Sequence, residues 1–260
     1  MAPGVSSCLC RDIPPSISFS GCGFMATYQV GVAQCLLNYA PWILRTAPCV
    51  LGASAGSLVA AMLHFAKQMK TFTLGPFNPS INVLHWLEFI LHKHLPSNAH
   101  QLATGRLAVA VTRMTDRKPV IMSDFGSKED VALLCSCFVP GYCGMMAPSY
   151  KGIYYVDGGF SNMQPGLPLP YRQILTVCPF SGEMDICPTD TFSMLDMVVA
   201  GATLKGSVAN SIRFFNALYP MALEPLEKAY ESGYKDAIDF LLNNGVPTVF
   251  TVNSLELKIL

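Results

Sequence analysis

Charge is scarce in this sequence. Of 260 residues only 13% are Asp, Glu, Lys or Arg, and 17 acidic side chains balance 17 basic ones. A surface that binds nucleic acid needs clustered, unbalanced cations, so no nucleic-acid partner is expected. No histidine follows His100, which removes the late proton acceptor that a Ser…Asp…His hydrolase order requires. There is no unbroken apolar run long enough to cross a bilayer either. The uncharged apolar window Thr46 to Ala66 is interrupted by Pro48, Gly52 and Gly56. Residues 1–11 lack the basic start and apolar stretch of a signal peptide, so the ten cysteines are expected as thiols in a reducing compartment. Cys135, Cys137 and Cys143 lie close together in sequence, but no second pair stands at ligand spacing. No metal is expected, and buried thiols are the better reading.

What is present is apolar surface and turn chemistry. Hydrophobic residues make up 51% of the chain and mean hydropathy is +0.37, which points to extensive burial, a membrane-facing surface, or both. A chain of this length can bury one substantial α/β core, and no low-complexity linker divides it. Short β-prone runs alternate with helical patterns. Strands are expected at Ile17 to Ser20, Cys49 to Leu51, Arg106 to Met114, Pro119 to Met122, Ile153 to Val156 and Ile174 to Val177. Helices are expected at Phe24 to Asn38, Ala55 to Met69 and His85 to Leu95, and beyond Pro188 at Phe192 to Tyr219 and Leu223 to Asn243.

Three turns carry chemistry. Gly52-Ala-Ser54-Ala-Gly56 follows a strand and opens a helix, which would present Ser54 on a sharp bend beside the helix's positive end. The same residues also suit a close helix contact made by small side chains. Tyr154-Tyr-Val-Asp157-Gly158-Gly159 ends a strand in a carboxylate; a partly desolvated Asp157 can take a serine proton directly, although Asp-Gly is also a common turn pair. Gly21-Cys22-Gly23 lies between strand and helix, where successive backbone N–H groups would bind an oxyanion. Pyrophosphate binding competes with that reading but fits poorly, because position 26 is Ala and Gly31 comes too late.

Taken in this order, the three turns resemble the patatin-like phospholipase family over roughly residues 16–245. Phe72 to Pro79, Ser136 to Pro140 with Tyr142 to Gly144, and Pro179 to Pro188 are similar to its animal branch, which contains adipose triglyceride lipase. Ser16 to Gly21 and Asp157 to Pro165 are similar to the epidermal omega-O-acylceramide transacylase of that branch. The resemblance implies an α/β three-layer sandwich with a central, mostly parallel sheet and a helical C-terminal region. Residues 1–15 would be an extension, 16–188 the catalytic core, 189–245 a helical part of the same domain and 246–260 a tail.

The activity implied is a lipid acyl hydrolase or transacylase acting on long-chain esters such as triacylglycerol, with no cofactor. Ser54 would be the nucleophile, Asp157 the base, and Gly21, Cys22 and Gly23 the oxyanion loop. Gly52 and Gly56 would shape the nucleophile turn, and Gly158 and Gly159 the turn after the base. The alternatives are transfer of an acyl chain to omega-hydroxyceramide, and a catalytically quiet lipid-surface or protein-binding module. Expected partners are a neutral or membrane lipid, a lipid-droplet or membrane surface and an activator protein, with the chain cytoplasmic and peripheral on those surfaces.

The chain departs from the family at Asn162 and Met163 and is short after the nucleophile helix. The run Met194 to Leu204, with Phe214, Phe215 and Leu218, is the surface expected to meet lipid, unless it is ordinary core. Attachment there is expected to depend little on salt.

Overall fold

Strand, glycine turn and helix occur where the sequence places them, twice over. The computed structural model describes residues 14–65, 83–127, 133–167, 173–190 and 195–246. In chain order the elements are β1 (Ser16–Phe19), α1 (Ala26–Tyr39), α2 (Pro41–Thr46), β2 (Val50–Ala53), α3 (Ala55–Phe65), α4 (Val83–His94), α5 (Ala99–Ala103), β3 (Leu107–Arg113), β4 (Pro119–Met122), α6 (Leu133–Ser136), β5 (Ser149–Tyr150), β6 (Ile153–Asp157), β7 (Ile174–Val177), β8 (Asp196–Val199), β9 (Ala202–Lys205), α7 (Val208–Leu218) and α8 (Glu224–Asn243). The fold is α/β, with parallel strands and crossover helices at its centre and antiparallel strands added at one side. The chain packs as two compact units.

One unit takes residues 22–48 and everything after 166, together with the first residues of β1. β1 lies beside β7, where the Ser16 N–H donates to the Gln173 carbonyl at 3.0 Å. Helix α1 buries Tyr28, Val32, Cys35 and Leu36, one stripe at helical spacing. Pro41 starts α2, where its missing N–H costs nothing. Helix α8 buries Leu226, Ala229, Gly233, Ala237 and Phe240, again one stripe. The two stripes meet almost backbone to backbone. A Cβ on Gly31 would fall 2.1 Å from the Tyr230 carbonyl, and one on Gly233 would fall 2.0 Å from that of Tyr28. At the same crossing the Tyr28 hydroxyl donates to Asp236 Oδ2 at 2.8 Å.

This unit departs from expectation after Pro188. Residues 196–205 are not helical but form the β8–β9 hairpin, joined through Ala200 and Gly201, both at positive φ (44° and 81°). Helix begins only at Val208. There Ser207 caps it, its Oγ accepting the Asn210 N–H at 3.0 Å. Phe214, expected at a lipid surface, stacks on buried Phe180 with ring centroids 4.1 Å apart. Phe215 and Leu218 are exposed.

The other unit comprises residues 19–21 and 49–165. Its axis is β3, buried from Leu107 to Thr112. One edge of β3 takes β4, antiparallel, with Val109 opposite Met122 and Thr112 opposite Pro119. Since β4 occupies that edge over residues 109–112, β2 and β6 must share the other. β2 runs parallel to β3 with Ala53 opposite Ala110, and β6 runs antiparallel with Asp157 opposite Val111. The last residues of β2 and β6 therefore face consecutive positions of β3, and the two strands meet head to head. β5 pairs β6 beyond it. The expected helix to Met69 is present to Phe65; the rest, and Phe72 to Pro79, lie outside the described residues.

Candidate active site

The junction of β2 and β6 brings Ser54 and Asp157 together. Ser54 follows the last residue of β2 and immediately precedes α3, at φ +50°, a left-handed conformation that costs a side-chain-bearing residue on the order of 1 kcal/mol. Neighbouring backbone enforces the bend. A Cβ on Gly52 would lie 2.3 Å from the Gly56 carbonyl oxygen, and one on Gly56 would lie 2.3 Å from that of Ser20. Ser57 closes the first turn of α3, its N–H and hydroxyl both donating to the Ser54 carbonyl, at 2.9 and 2.6 Å.

Asp157 is 6% exposed. Its backbone is fixed from both sides: its N–H donates to the Phe138 carbonyl at 2.9 Å, and its carbonyl accepts the Thr112 hydroxyl at 2.8 Å. Its carboxylate is divided between two donors. Oδ1 accepts the Gly159 N–H at 2.7 Å, which turns the side chain, and Oδ2 accepts the Ser54 hydroxyl at 2.5 Å. Burial raises this carboxyl to about 6, against the opposing pull of the Ser54 and Gly159 hydrogen bonds. A carboxylate in that range is ionised at neutral pH yet basic enough to take a proton from an attacking alcohol. Gly158 packs flat on β3, where a Cβ would fall 2.2 Å from the Ala110 carbonyl oxygen.

Gly21 lies beside this pair; a Cβ there would sit 3.5 Å from both the Ser54 Cβ and the Gly159 Cα. Its amide, however, donates to the Met163 carbonyl at 2.8 Å. Gly21 therefore supplies a close backbone surface, and its N–H is engaged within the protein rather than directed at a substrate. That bond also explains how Asn162 and Met163 are accommodated. Asn162 donates its N–H to the Gly158 carbonyl at 2.9 Å, Met163 is buried, and both act here through backbone atoms that any side chain would supply. Cys22 is buried and precedes a 3-10 turn at Gly23–Met25; Gly23 has φ +50°, and a Cβ on it would strike the Ala217 carbonyl oxygen at 2.1 Å.

One supporting residue lies in a stretch that carries the family resemblance, but its role left no sign in the sequence. Ser136, fully buried at the end of α6, accepts the Ser54 N–H at 2.8 Å and donates its own hydroxyl to the Ala110 carbonyl at 2.6 Å. It ties the bend to β3. The cysteines on either side of it hold no metal geometry: among the described residues no group of three His, Cys, Asp or Glu side chains is placed to bind one. Burial pushes the Cys135 thiol up to about 11 and raises those of Cys137 and Cys143. His64, on the nucleophile helix, holds a ring nitrogen 2.7 Å from the Leu102 carbonyl oxygen. Among the described residues no helix is long and apolar enough to cross a membrane.

No family model matches the chain. Individual proteins do. It is 38% identical over 253 residues to patatin-like phospholipase domain-containing protein 2 of Homo sapiens, covering 91% of this chain and 50% of that protein. The chain is a homologue of patatin-like phospholipase domain proteins. It is also 39% identical over 248 residues to the omega-hydroxyceramide transacylase of Homo sapiens, covering 88% of this chain and 46% of that one. With the Homo sapiens protein named 1-acylglycerol-3-phosphate O-acyltransferase PNPLA3 the identity is 37%, over 89% of this chain and 51% of that protein. The chain thus spans about half the length of these relatives. Among solved structures, that of VipD from Legionella pneumophila gives a TM-score of 0.46 at 12% identity, covering 90% of this chain and 67% of that one.

Proposed function

We propose that this patatin-like chain cleaves long-chain acyl esters, triacylglycerol among them, with Ser54 as nucleophile and Asp157 as its base. The observation that carries the reading is the direct 2.5 Å hydrogen bond from the Ser54 hydroxyl to Asp157 Oδ2, made on a left-handed bend at a helix N-terminus. The relatives' phospholipase and acyltransferase names support acyl chemistry as the class.

In this mechanism Ser54 Oγ attacks the ester carbonyl carbon while its proton passes to Asp157 Oδ2. The carbonyl oxygen takes the negative charge, which the dipole of α3 favours. The Gly21 N–H is bonded to the Met163 carbonyl and so is not counted among the oxyanion donors. Collapse breaks the carbon–oxygen bond to the leaving alcohol, which takes the proton back from Asp157. The acyl group remains on Ser54 as an ester until a second hydroxyl, activated in the same way, removes it. Water as that acceptor makes the reaction a hydrolysis, and a lipid hydroxyl makes it a transfer. The 39% identity to a transacylase favours keeping the second outcome beside the first.

The test is incubation with labelled triacylglycerol, with and without an omega-hydroxyceramide, followed by product analysis for the parent and Ser54→Ala. Free fatty acid from the parent alone supports hydrolysis, and acylceramide from the parent alone supports transfer. Product from the alanine variant, or from neither protein, refutes the proposal.

A further inference from the structure

We propose that the turns of the β3–β4 and β5–β6 hairpins, with the loop at Met145 and Met146 that leads into β5, form the face by which this chain sits on an anionic lipid surface. The proposal uses the acyl-ester reading only to say why a lipid would be sought there; the surface itself stands on its own composition. Met145 and Met146 are 89% and 84% exposed, in a unit whose other large apolar side chains are mostly buried. With Met114, Thr115, Ala147 and Tyr154, Met146 lines an open apolar cavity of about 330 Å³. Met114 and Tyr154 are joined through their backbones, the Met114 N–H donating to the Tyr154 carbonyl at 3.1 Å. Methionines are flexible and apolar, suited to a fluid and irregular partner such as acyl chains.

Charge selects the kind of lipid. Although the chain as a whole is balanced, the turns beside this face carry four cations, Arg113, Arg117, Lys118 and Lys151, against two acidic residues: Asp116, which pairs with Arg113 at 3.7 Å, and Asp124, whose carbonyl accepts the Tyr150 hydroxyl at 3.3 Å next to Lys151. Arg117 and Lys151 each stand at a turn residue of positive φ (57° and 48°). An apolar centre with a cationic rim matches acyl chains beneath anionic headgroups. It does not match a second copy of itself, because a two-fold contact would set four cations against four.

Strand register relates the face to the candidate site. Asp157 and Tyr154 lie three residue steps apart on β6, about 10 Å of extended chain, and β3 runs past the Ser54 junction toward Met114. The apolar face thus lies beyond the dyad in the direction β2 points. The β8–β9 hairpin, expected to be the lipid-facing run, also exposes Leu195 and Val198 but carries Asp196 at its start, paired with Lys205 at 2.8 Å.

The test is flotation of the full chain with vesicles of phosphatidylcholine alone or with 30% phosphatidylserine (about a third anionic lipid, to set a negative surface). The parent should float with the anionic vesicles and lose most of that binding in high salt. Met145→Glu with Met146→Glu should reduce flotation at least tenfold, and Arg117→Glu with Lys118→Glu about as much, since each surface cation is worth about fivefold. Met197→Glu with Val198→Glu, and Ser54→Ala, should float as the parent does. Hydrolysis of a soluble short-chain ester and the melting curve should be unchanged in the two face variants. Equal flotation of the face variants and the parent overturns the proposal, as does loss confined to the hairpin variant or parent binding that ignores lipid charge. Failure of the parent to float, with self-association or capture of a protein that the face variants abolish, shows that the face serves a protein instead. A chain that floats as predicted but cleaves nothing leaves this surface standing and removes the acyl-ester reading alone.

Discussion

Among the described residues three serine hydroxyls donate to aspartates: Ser232 reaches Asp236 within α8 at a long 3.4 Å, and the other two pairs, both closer, differ in what surrounds the carboxylate. Ser207 donates to Asp190 in one unit, as Ser54 donates to Asp157 in the other. Asp190 is neutralised by Arg213, whose two terminal nitrogens reach its two oxygens at 3.0 and 2.8 Å. Burial alone would raise its carboxyl, but the Arg213 and Ser207 hydrogen bonds and the guanidinium charge bring it below the ordinary range. Ser207 Oγ also accepts the Asn210 N–H, as a helix cap does, from an ordinary extended backbone. Asp157 is bonded by Ser54 and Gly159, with no cation bonding it among the described residues; it sits above the ordinary range at about 6 and faces a serine on a left-handed bend. The two carboxylates differ in their third partner: an arginine makes one a poorer base, whereas burial makes the other a better one.

The largest expected difference is in rate. Ser54→Ala and Asp157→Asn should each lower acyl release by about 10³-fold or more, because an interaction made in the transition state is removed. Ser207→Ala should leave turnover within twofold of the parent. Steady-state assays of the purified variants decide it, and comparable losses at both serines would break the comparison.

Stability should respond with opposite signs. Asp157 binds its proton more tightly folded than unfolded, so its contribution is greatest below its unfolded value of 3.8 and falls as pH rises through about 6. Asp157→Asn should therefore stabilise the chain at pH 8, by about 1–3 kcal/mol. Asp190, whose carboxyl is lowered, contributes stability above its unfolded value that is lost as pH falls through the folded one. Arg213→Met should destabilise by about 1–3 kcal/mol, since it strands that carboxylate. Urea unfolding at pH 5 and pH 8 measures both. Destabilisation by Asp157→Asn at pH 8 would show that the carboxylate is held for structure.

Ser136→Ala should cost about tenfold in kcat, with KM little changed, since it removes the acceptor of the Ser54 N–H and frees the bend without touching substrate. Its circular dichroism spectrum should match the parent's. A variant with full turnover would show that β3 and the glycines hold the bend unaided. Smallest of all is the cap: Ser207→Ala should cost about 1 kcal/mol in thermal unfolding and nothing in rate.

Sequence carried some of this arrangement and concealed the rest, for local reasons. Ser54, Asp157 and their glycines were legible because close backbone approach admits only glycine at 52, 56 and 158, which leaves a pattern in the letters. Gly21 was legible as a neighbour, but the engagement of its amide by Met163 was not, since a carbonyl acceptor has no residue identity. Ser136 was hidden because its role depends on α6 folding against β3, far away in sequence. The β8–β9 hairpin hides in a pattern that predicts helix because its turn is Ala200-Gly201 rather than the Asn-Gly or Asp-Gly pair that announces such turns. The head-to-head meeting of β2 and β6 follows from register along β3, which spacing alone does not reveal.

The central claim is that Ser54 alone, of the aspartate-bonded serines at 54, 207 and 232, is an activated nucleophile. The most direct measurement is reaction of the folded chain with a lipophilic fluorophosphonate, followed by mass mapping of the adduct and the labelling rate from pH 4 to pH 8. The account predicts one adduct, on Ser54, absent in Ser54→Ala, with a rate that rises through a midpoint near pH 6 as Asp157 ionises. An adduct on Ser207 or any other residue, no labelling of folded protein, or a rate unchanged by Asp157→Asn would contradict it.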